Sequence, residues 1–180
     1  MGCDKAGLLL GGRTLLDRHL ALLRTLGAGK LWISRMDTHI PPGVEGILPD
    51  REPDRGPMEG IARGLGATAS AHLLVMAVDL PFLDERWGRL LLAQSEPGVG
   101  VVPRSCRGWE PLAALYPVEA LASFEQSIEA GRLGLQEWLA AASAIGWIKA
   151  WEVPEEGKVW FRNANTAEDW HGIQNHGASN

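Results

Sequence analysis

The run His72-Leu73-Leu74-Val75-Met76-Ala77-Val78, closed by Asp79-Leu80-Pro81-Phe82, decides the fold. Its apolar residues continue without a break for the length of a strand, stop on one carboxylate, and give way to a proline that turns the chain. An unbroken apolar run this short reads as a strand covered on both faces, as in a parallel α/β sheet. Asp79 then stands at the strand's carboxyl end. Open α/β folds bind ligands along that edge, where a lone carboxylate is placed to hold a hard cation such as Mg²⁺ beside a phosphate. By itself, Asp79 serves equally well as a turn residue ahead of the next helix.

The flanking segments extend the pattern. Thr14 can cap a helix that carries Leu16, Leu20, Leu23 and Leu26, with Asp17 in the capping-box position and Gly27 at its end. Residues 31–34 read as a short strand, 36–46 as a loop and 59–69 as a helix leading into the 72–78 strand. Asp84 can cap a further helix containing Leu90, Leu91 and Leu92, and 99–102 is strand-like again. The order α, β, α, β, α, β predicts an α/β fold in three layers, a mostly parallel sheet with helices on both faces. The second half is less regular: a strand over 112–116, helices over 119–130 and 135–142, and a last strand over 145–153. Thr166-Ala167-Glu168-Asp169 starts a short C-terminal helix, and 172–180 forms a frayed tail. Neither a repeat nor a linker divides the 180 residues, so one domain is expected over 1–180.

Composition removes several function classes. Seventeen basic against 22 acidic residues give a net charge of −5 without any basic block, which argues against a nucleic-acid partner. No apolar run approaches the roughly 20 residues of a membrane span, and the start lacks a secretory layout, so a cytoplasmic protein with no membrane partner is expected. Cys3 and Cys106 read as two reduced thiols, because two distant cysteines make neither a disulfide framework nor a zinc site. The five histidines share no metal spacing, and no Gly-x-Ser-x-Gly elbow or Cys–His signature supports a covalent hydrolase.

Four segments carry residues suited to phosphates, metals or bases. In Met1-Gly2-Cys3-Asp4-Lys5-Ala6, Lys5 supplies a compact cation. In Asp50-Arg-Glu-Pro-Asp-Arg-Gly56-Pro57-Met58-Glu59-Gly60, the proline sits near a helix start whose free backbone N–H groups can face an anion, and Gly60 and Gly64 let that helix approach something closely. The third segment is the Asp79 turn. In the fourth, Asn163 and Asn165 lie one residue apart and point the same way in an extended chain, where their amides can bind hydroxyls or complete a metal shell. Each of these also has an ordinary structural use as a surface lysine, a helix start, a turn or a cap. Trp109, in the loop Arg104-Ser-Cys-Arg107-Gly-Trp109-Glu110-Pro111, presents an aromatic plane between two arginines on which a flat heterocycle could stack.

Read in order, Met-Gly-x-Asp-Lys-Ala, Asp…Gly-Pro-Met-x-Gly, Val-Asp-Leu-Pro-Phe, Glu-Pro-Leu-x-Ala-Leu-Tyr and Asn-x-Asn-Thr-x-Glu-Asp resemble the molybdenum cofactor guanylyltransferases, nucleotidyltransferases of Rossmann-like fold, over residues 1–170. The resemblance implies that the phosphate of molybdopterin attacks the α-phosphorus of GTP with Mg²⁺ as cofactor, giving molybdopterin guanine dinucleotide and pyrophosphate. It places Lys5 and Asp79 in catalysis, Lys5, Asp50, Gly56, Pro57 and Asp79 at the nucleotide, and Asp79 on the metal. Arg104, Arg107, Glu110, Asn163 and Asn165 fall on the pterin side. Molybdoenzymes or their cofactor-delivery proteins are the implied protein partners. An ionised phosphate nucleophile has no need of an activating Ser or His, so positioning and charge neutralisation are the work left to the protein. Two other readings fit the same residues: a cytidylyltransferase or related enzyme, and a non-catalytic nucleotide- or partner-binding module.

The chain departs from the family at its start. The family opens with a strand and a glycine-rich segment, Leu-Ala-Gly-Gly-x-Ser-x-Arg, immediately before the Met-Gly-x-Asp-Lys motif with which this sequence begins. Relative to that pattern the domain is truncated, and the expectation is that the working protein starts upstream. Unpaired neighbours of a lost central strand cost on the order of 1–3 kcal/mol for each buried group.

Overall fold

The computed structural model describes residues 5–34, 40–49 and 56–163. After a 3-10 turn at Lys5–Gly7, strands β1 (Leu9–Leu10) and β2 (Arg13–Thr14) form a two-residue hairpin. Its turn is Gly11-Gly12, with φ of 60° and 79°, the left-handed pair that tight hairpins select. Helix α1 (Leu15–Thr25) follows at once, because the Thr14 hydroxyl accepts from the Asp17 N–H at 3.0 Å. Gly27, at φ 84°, ends it as anticipated.

Strands β3 (Trp32–Ile33) and β4 (Gly46–Ile47) pair in parallel as a two-stranded sheet. β4 lies at the end of the stretch read as loop. Its two residues are too short to leave a periodic signal. Helix α2 (Gly56–Ala67) starts three residues earlier than its apolar pattern suggests, with Pro57 in the first turn where its missing N–H costs nothing. Then come β5 (His72–Met76), α3 (Glu85–Leu92), capped by Asp84 accepting from the Trp87 N–H at 2.9 Å, and β6 (Gly100–Ser105). β7 (Gly108–Trp109), β8 (Ala113–Pro117), α4 (Leu121–Glu129), α5 (Leu135–Ala144) and β9 (Ile148–Glu152) complete the core, followed by a 3-10 segment over Glu155–Phe161.

The larger sheet has the order β5-β8-β6-β7, with β9 also on β6. β8 is antiparallel to both β5 and β6, and β9 is parallel to β6 over five residue pairs. β5, β6 and β9 therefore share one direction, as alternating helices and strands require. β8 runs against them and stands between β5 and β6, so the β5 ladder is antiparallel. Strand direction across a ladder leaves no trace in hydrophobic periodicity.

Two apolar clusters mark the outer layers. On one face α2, α4 and α5 pack against Leu73 and Val75, with Tyr116 edge-on to Phe124 at 5.6 Å. On the other, Leu22 of α1 and Leu26 just past its end, Trp87 and Leu91 of α3, and Trp160 and Phe161 pack around Leu74 and Met76. Successive β5 side chains thus face opposite layers. The expectation that β5 is covered on both faces meets one difference: all five of its residues are only half-buried. The reason is a cleft along its outer edge. The C-terminal helix expected at Thr166 and the tail at 172–180 lie outside the described residues. No helix among the described residues is long and apolar enough to cross a membrane.

Gly100 is where the strands close up. A Cβ there would stand 2.7 Å from the Leu115 carbonyl oxygen and 2.7 Å from the Ile148 side chain. Gly100→Ala is expected to destabilise the fold by about 1–3 kcal/mol in urea unfolding, as overpacking does. Gly29→Ala, with nothing within 4 Å of the added carbon, is the control expected to change little.

Candidate active site

Asp79 stands three residues past β5, in a turn whose Leu80 N–H donates to the Ala77 carbonyl at 3.4 Å. Lys5 comes to it from 74 residues away, its Nζ 3.3 Å from Asp79 Oδ2, with the two side chains 29% and 27% exposed. The first and third sequence motifs therefore meet at the carboxyl end of β5. A half-exposed ion pair of this kind contributes only about 0–1 kcal/mol to stability. Its value is chemical: an anionic oxygen ligand and a cation side by side on the ligand-binding edge of an α/β sheet.

Other motifs converge on the same edge. The Ala77 N–H donates to the Leu112 carbonyl at 2.7 Å, which brings the Glu110-Pro111-Leu112 loop alongside the Asp79 turn. The Tyr116 hydroxyl, on a ring buried so completely that its pKa is pushed well up, donates to the Pro111 carbonyl at 2.9 Å and pins that loop. From the C-terminal side, the Arg162 guanidinium lies over the Phe82 ring at 5.8 Å. Gly56 and Pro57, exposed at the start of α2, line the cleft that also reaches Val78. Gly60 and Gly64 do permit close approach. A Cβ on Gly60 would lie 2.7 Å from Ser34 Oγ, and one on Gly64 2.7 Å from the Leu73 side chain.

The hairpin residues are differently employed. Ser105 Oγ donates to Glu110 Oε1 at 2.6 Å, and Arg107 Nη2 lies 3.4 Å from the same oxygen. Arg107 Nη2 also donates to the Phe161 carbonyl, tying the hairpin to the C-terminal 3-10 segment. The Arg104 guanidinium sits 5.5 Å from the Trp109 ring centre, so one face of the aromatic plane considered for stacking is already occupied. Gln136 bonds both the N–H and the carbonyl of Trp109, at 3.2 and 2.9 Å, and fixes the strand. Asp50 and Asn165 lie outside the described residues.

For a metal, Asp79 is a single carboxylate, and no group of three or more potential ligands gathers among the described residues. Mg²⁺ is commonly held by one or two carboxylates together with substrate phosphates and waters. The donor set fits a substrate-bridged ion and does not fit a closed protein cage.

Comparison with known proteins decides the family. The model of the MobA-like NTP transferase domain matches residues 1–145. The chain belongs to the MobA-like NTP transferase family. It is 35% identical over 177 residues to a probable molybdenum cofactor guanylyltransferase of Opitutus terrae, covering 94% of this chain and 86% of that one. A protein of the same name from Synechococcus elongatus is 27% identical, covering 97% and 91%. Among solved structures, the molybdopterin-guanine dinucleotide biosynthesis protein A of Archaeoglobus fulgidus superposes with a TM-score of 0.70 at 18% identity, over 98% of this chain and 92% of that one. A nucleotidyl transferase from Methanothermobacter superposes at 0.74 with 14% identity, over 98% and 86%. These superpositions establish the Rossmann-like nucleotidyltransferase fold.

Two residues of this MobA-like chain escaped the sequence reading. Arg162 directly precedes Asn163 of the fourth segment, and its place was visible there. His19 falls on the α1 stripe with Leu16, Leu20 and Leu23, so helical periodicity already placed it on the buried face. It lines the cleft, with Nδ1 donating to the Leu15 carbonyl at 2.7 Å and Nε2 without a hydrogen-bond partner among the described residues. Burial holds its pKa below the usual imidazole value, an effect that outweighs the opposing influence of the Leu15 and Leu80 backbone. The folded state then binds fewer protons than the unfolded chain as pH falls below about 6.5. Stability is full above that value, is lost as pH falls through the lowered folded pKa, and levels off below it. Urea unfolding of His19→Gln at pH 7.5 and 5.5 is expected to show a smaller loss across that interval than the unsubstituted chain.

Proposed function

We propose that this chain transfers the guanylyl group of GTP to the phosphate of molybdopterin, giving molybdopterin guanine dinucleotide and pyrophosphate. The observation that carries this reading is the Lys5–Asp79 pair at the carboxyl end of β5, in a chain 35% identical to a relative of that name. The new bond joins a molybdopterin phosphate oxygen to the α-phosphorus of GTP. The bond from that phosphorus to the bridging oxygen of the β-phosphate breaks, and pyrophosphate leaves with the electron pair. A phosphate oxygen is already ionised near neutral pH, so no base is assigned.

Asp79 is the residue that holds the divalent cation in this reading, with Mg²⁺ as the natural ion. When bound, the cation supplies charge neutralisation for the phosphates and the departing pyrophosphate. Lys5 then exchanges its carboxylate partner for phosphate oxygens. The backbone N–H groups at the start of α2, with Gly56 and Pro57, support the guanosine side together with Asp50. By resemblance to the family, Arg104, Arg107, Glu110, Asn163 and Asn165 are assigned to the acceptor side, with Arg107 also holding the hairpin to Phe161. The same reading makes the protein a cytoplasmic supplier of molybdoenzymes.

Two outcomes test this in an assay of pyrophosphate release with molybdopterin. Asp79→Asn is expected to lower kcat/KM on the order of 100-fold or more while leaving the circular dichroism unchanged, since the metal term is worth several kcal/mol and each 1.4 kcal/mol is tenfold. Undiminished turnover would remove Asp79 from the metal. GTP is expected to support turnover where CTP does not, and the reverse preference would make the chain a cytidylyltransferase.

A further inference from the structure

Strands β6 and β7 meet in a hairpin of only two residue pairs, Arg104 with Trp109 and Ser105 with Gly108. A two-stranded ladder of that length holds no position by itself. Its register is fixed by the Glu110 N–H, which donates to the Pro103 carbonyl at 2.9 Å. Bonded and non-bonded pairs alternate along an antiparallel ladder, so Arg104 and Trp109 form a non-bonded pair. Their side chains are thereby brought close on one face, where the Arg104 guanidinium lies 5.5 Å from the Trp109 ring centre. The Trp109 N–H and carbonyl are turned the other way, away from β6.

Among the described residues no strand pairs with β7 on that outer side. Gln136, in the first turn of α5, takes the place of one. Its Nε2 donates to the Trp109 carbonyl at 2.9 Å and its Oε1 accepts from the Trp109 N–H at 3.2 Å, the two-bond exchange that a neighbouring strand would make. Gly108, at φ 109°, leaves room for this approach, since a Cβ there would stand 3.2 Å from Gln136 Oε1. Gln136 is exposed, so its bonds replace bonds to water and add little to stability. What they fix is the place of the Trp109 ring.

Arg104 is exposed and, apart from that ring, has neither a hydrogen bond nor an ion pair among the described residues. A guanidinium over an aromatic face keeps N–H donors for a phosphate or a heterocycle carbonyl. The hairpin also continues through Glu110 and Pro111 to Leu112, whose carbonyl accepts from the Ala77 N–H at 2.7 Å, so it is tied to the edge that carries Asp79. We propose that Gln136 is a positioning residue for the acceptor substrate: through the Trp109 backbone it holds the ring that aims Arg104, and Arg104 binds the anionic pterin. This rests on the proposed guanylyl transfer and names the residue on which acceptor affinity depends.

Steady-state pyrophosphate release separates such a role from a general effect on the fold. Gln136→Leu keeps the side chain's bulk and removes both bonds. It is expected to raise KM for molybdopterin about tenfold while KM for GTP, kcat and the urea midpoint stay at the parent values, the pattern of lost acceptor binding. Arg104→Ala is expected to raise the same constant at least as far, and adding Gln136→Leu to it to cause no further rise, because both act on one contact. Glu137→Leu, at the next exposed position of α5, is the control expected to change none of these constants. An unmoved molybdopterin KM in Gln136→Leu, a parallel rise in KM for GTP, or losses that add in the double variant overturn the inference. Where turnover is too slow to measure, the same comparison is made on the Kd for molybdopterin by calorimetry. Failure of the proposed activity looks different, because it shows in the parent chain. A parent that neither releases pyrophosphate nor binds molybdopterin contradicts that activity, and the role of Gln136 falls with it; a parent that binds molybdopterin no better than Gln136→Leu does removes the role of Gln136 alone.

Discussion

Five consecutive residue pairs between β5 and β8 fix where Asp79 stands. The ladder is extended by the Ala77 N–H on the Leu112 carbonyl, so the strand is held up to the turn that carries the carboxylate. Everything at the candidate site is referred to that edge. Lys5 meets Asp79 there, the Glu110–Leu112 loop runs beside it, and Arg162 rests on Phe82 just beyond it. Were the register of β5 to slip by one residue, Leu73 and Val75 would exchange layers with Leu74 and Met76, and two apolar clusters would be lost together. Packing on both faces thus protects the position of a polar turn.

The same strand explains the division of labour between stability and chemistry. Its β8 side is closed, and Tyr116, Phe124 and Trp138 pack together in the cluster behind it. Its other side is open to the cleft, where α1 and α2 approach from opposite layers. Rigid walls on one side and an open edge on the other suit a site that must hold a charged substrate in place. Electrostatic positioning of that kind depends on dipoles and charges that do not have to reorganise during the reaction.

Local signals carried much of the fold. Thr14 and Asp84 were legible as caps because a cap is a contact between residues three apart, and both accept the bonds expected of them. Gly60 and Gly64 were legible as close-approach positions, although their partners, Ser34 and Leu73, were not. The antiparallel course of β8 could not be read, since it depends on which strand lies beside which. Two-residue strands such as β4 and β7 are below the length at which alternation exists. At the site, the Lys5 and Asp79 motifs stood out by residue type and were joined only by the fold. The resemblance places Arg107 on the pterin side, but an arginine's fork serves a backbone carbonyl as readily as a ligand, and here it also holds Phe161.

The central claim is that nucleotide and divalent metal bind at the carboxyl edge of β5. Paramagnetic broadening of backbone amides by Mn²⁺ in the presence of GTP tests it directly. The amides of Asp79, Leu80 and Phe82 and of Gly56, Met58, Glu59 and Gly60 are expected to broaden first, with Lys5 beside them, while those of α4 and α5 stay sharp. Broadening centred away from the Asp79 turn, or none when GTP is bound, would contradict the account.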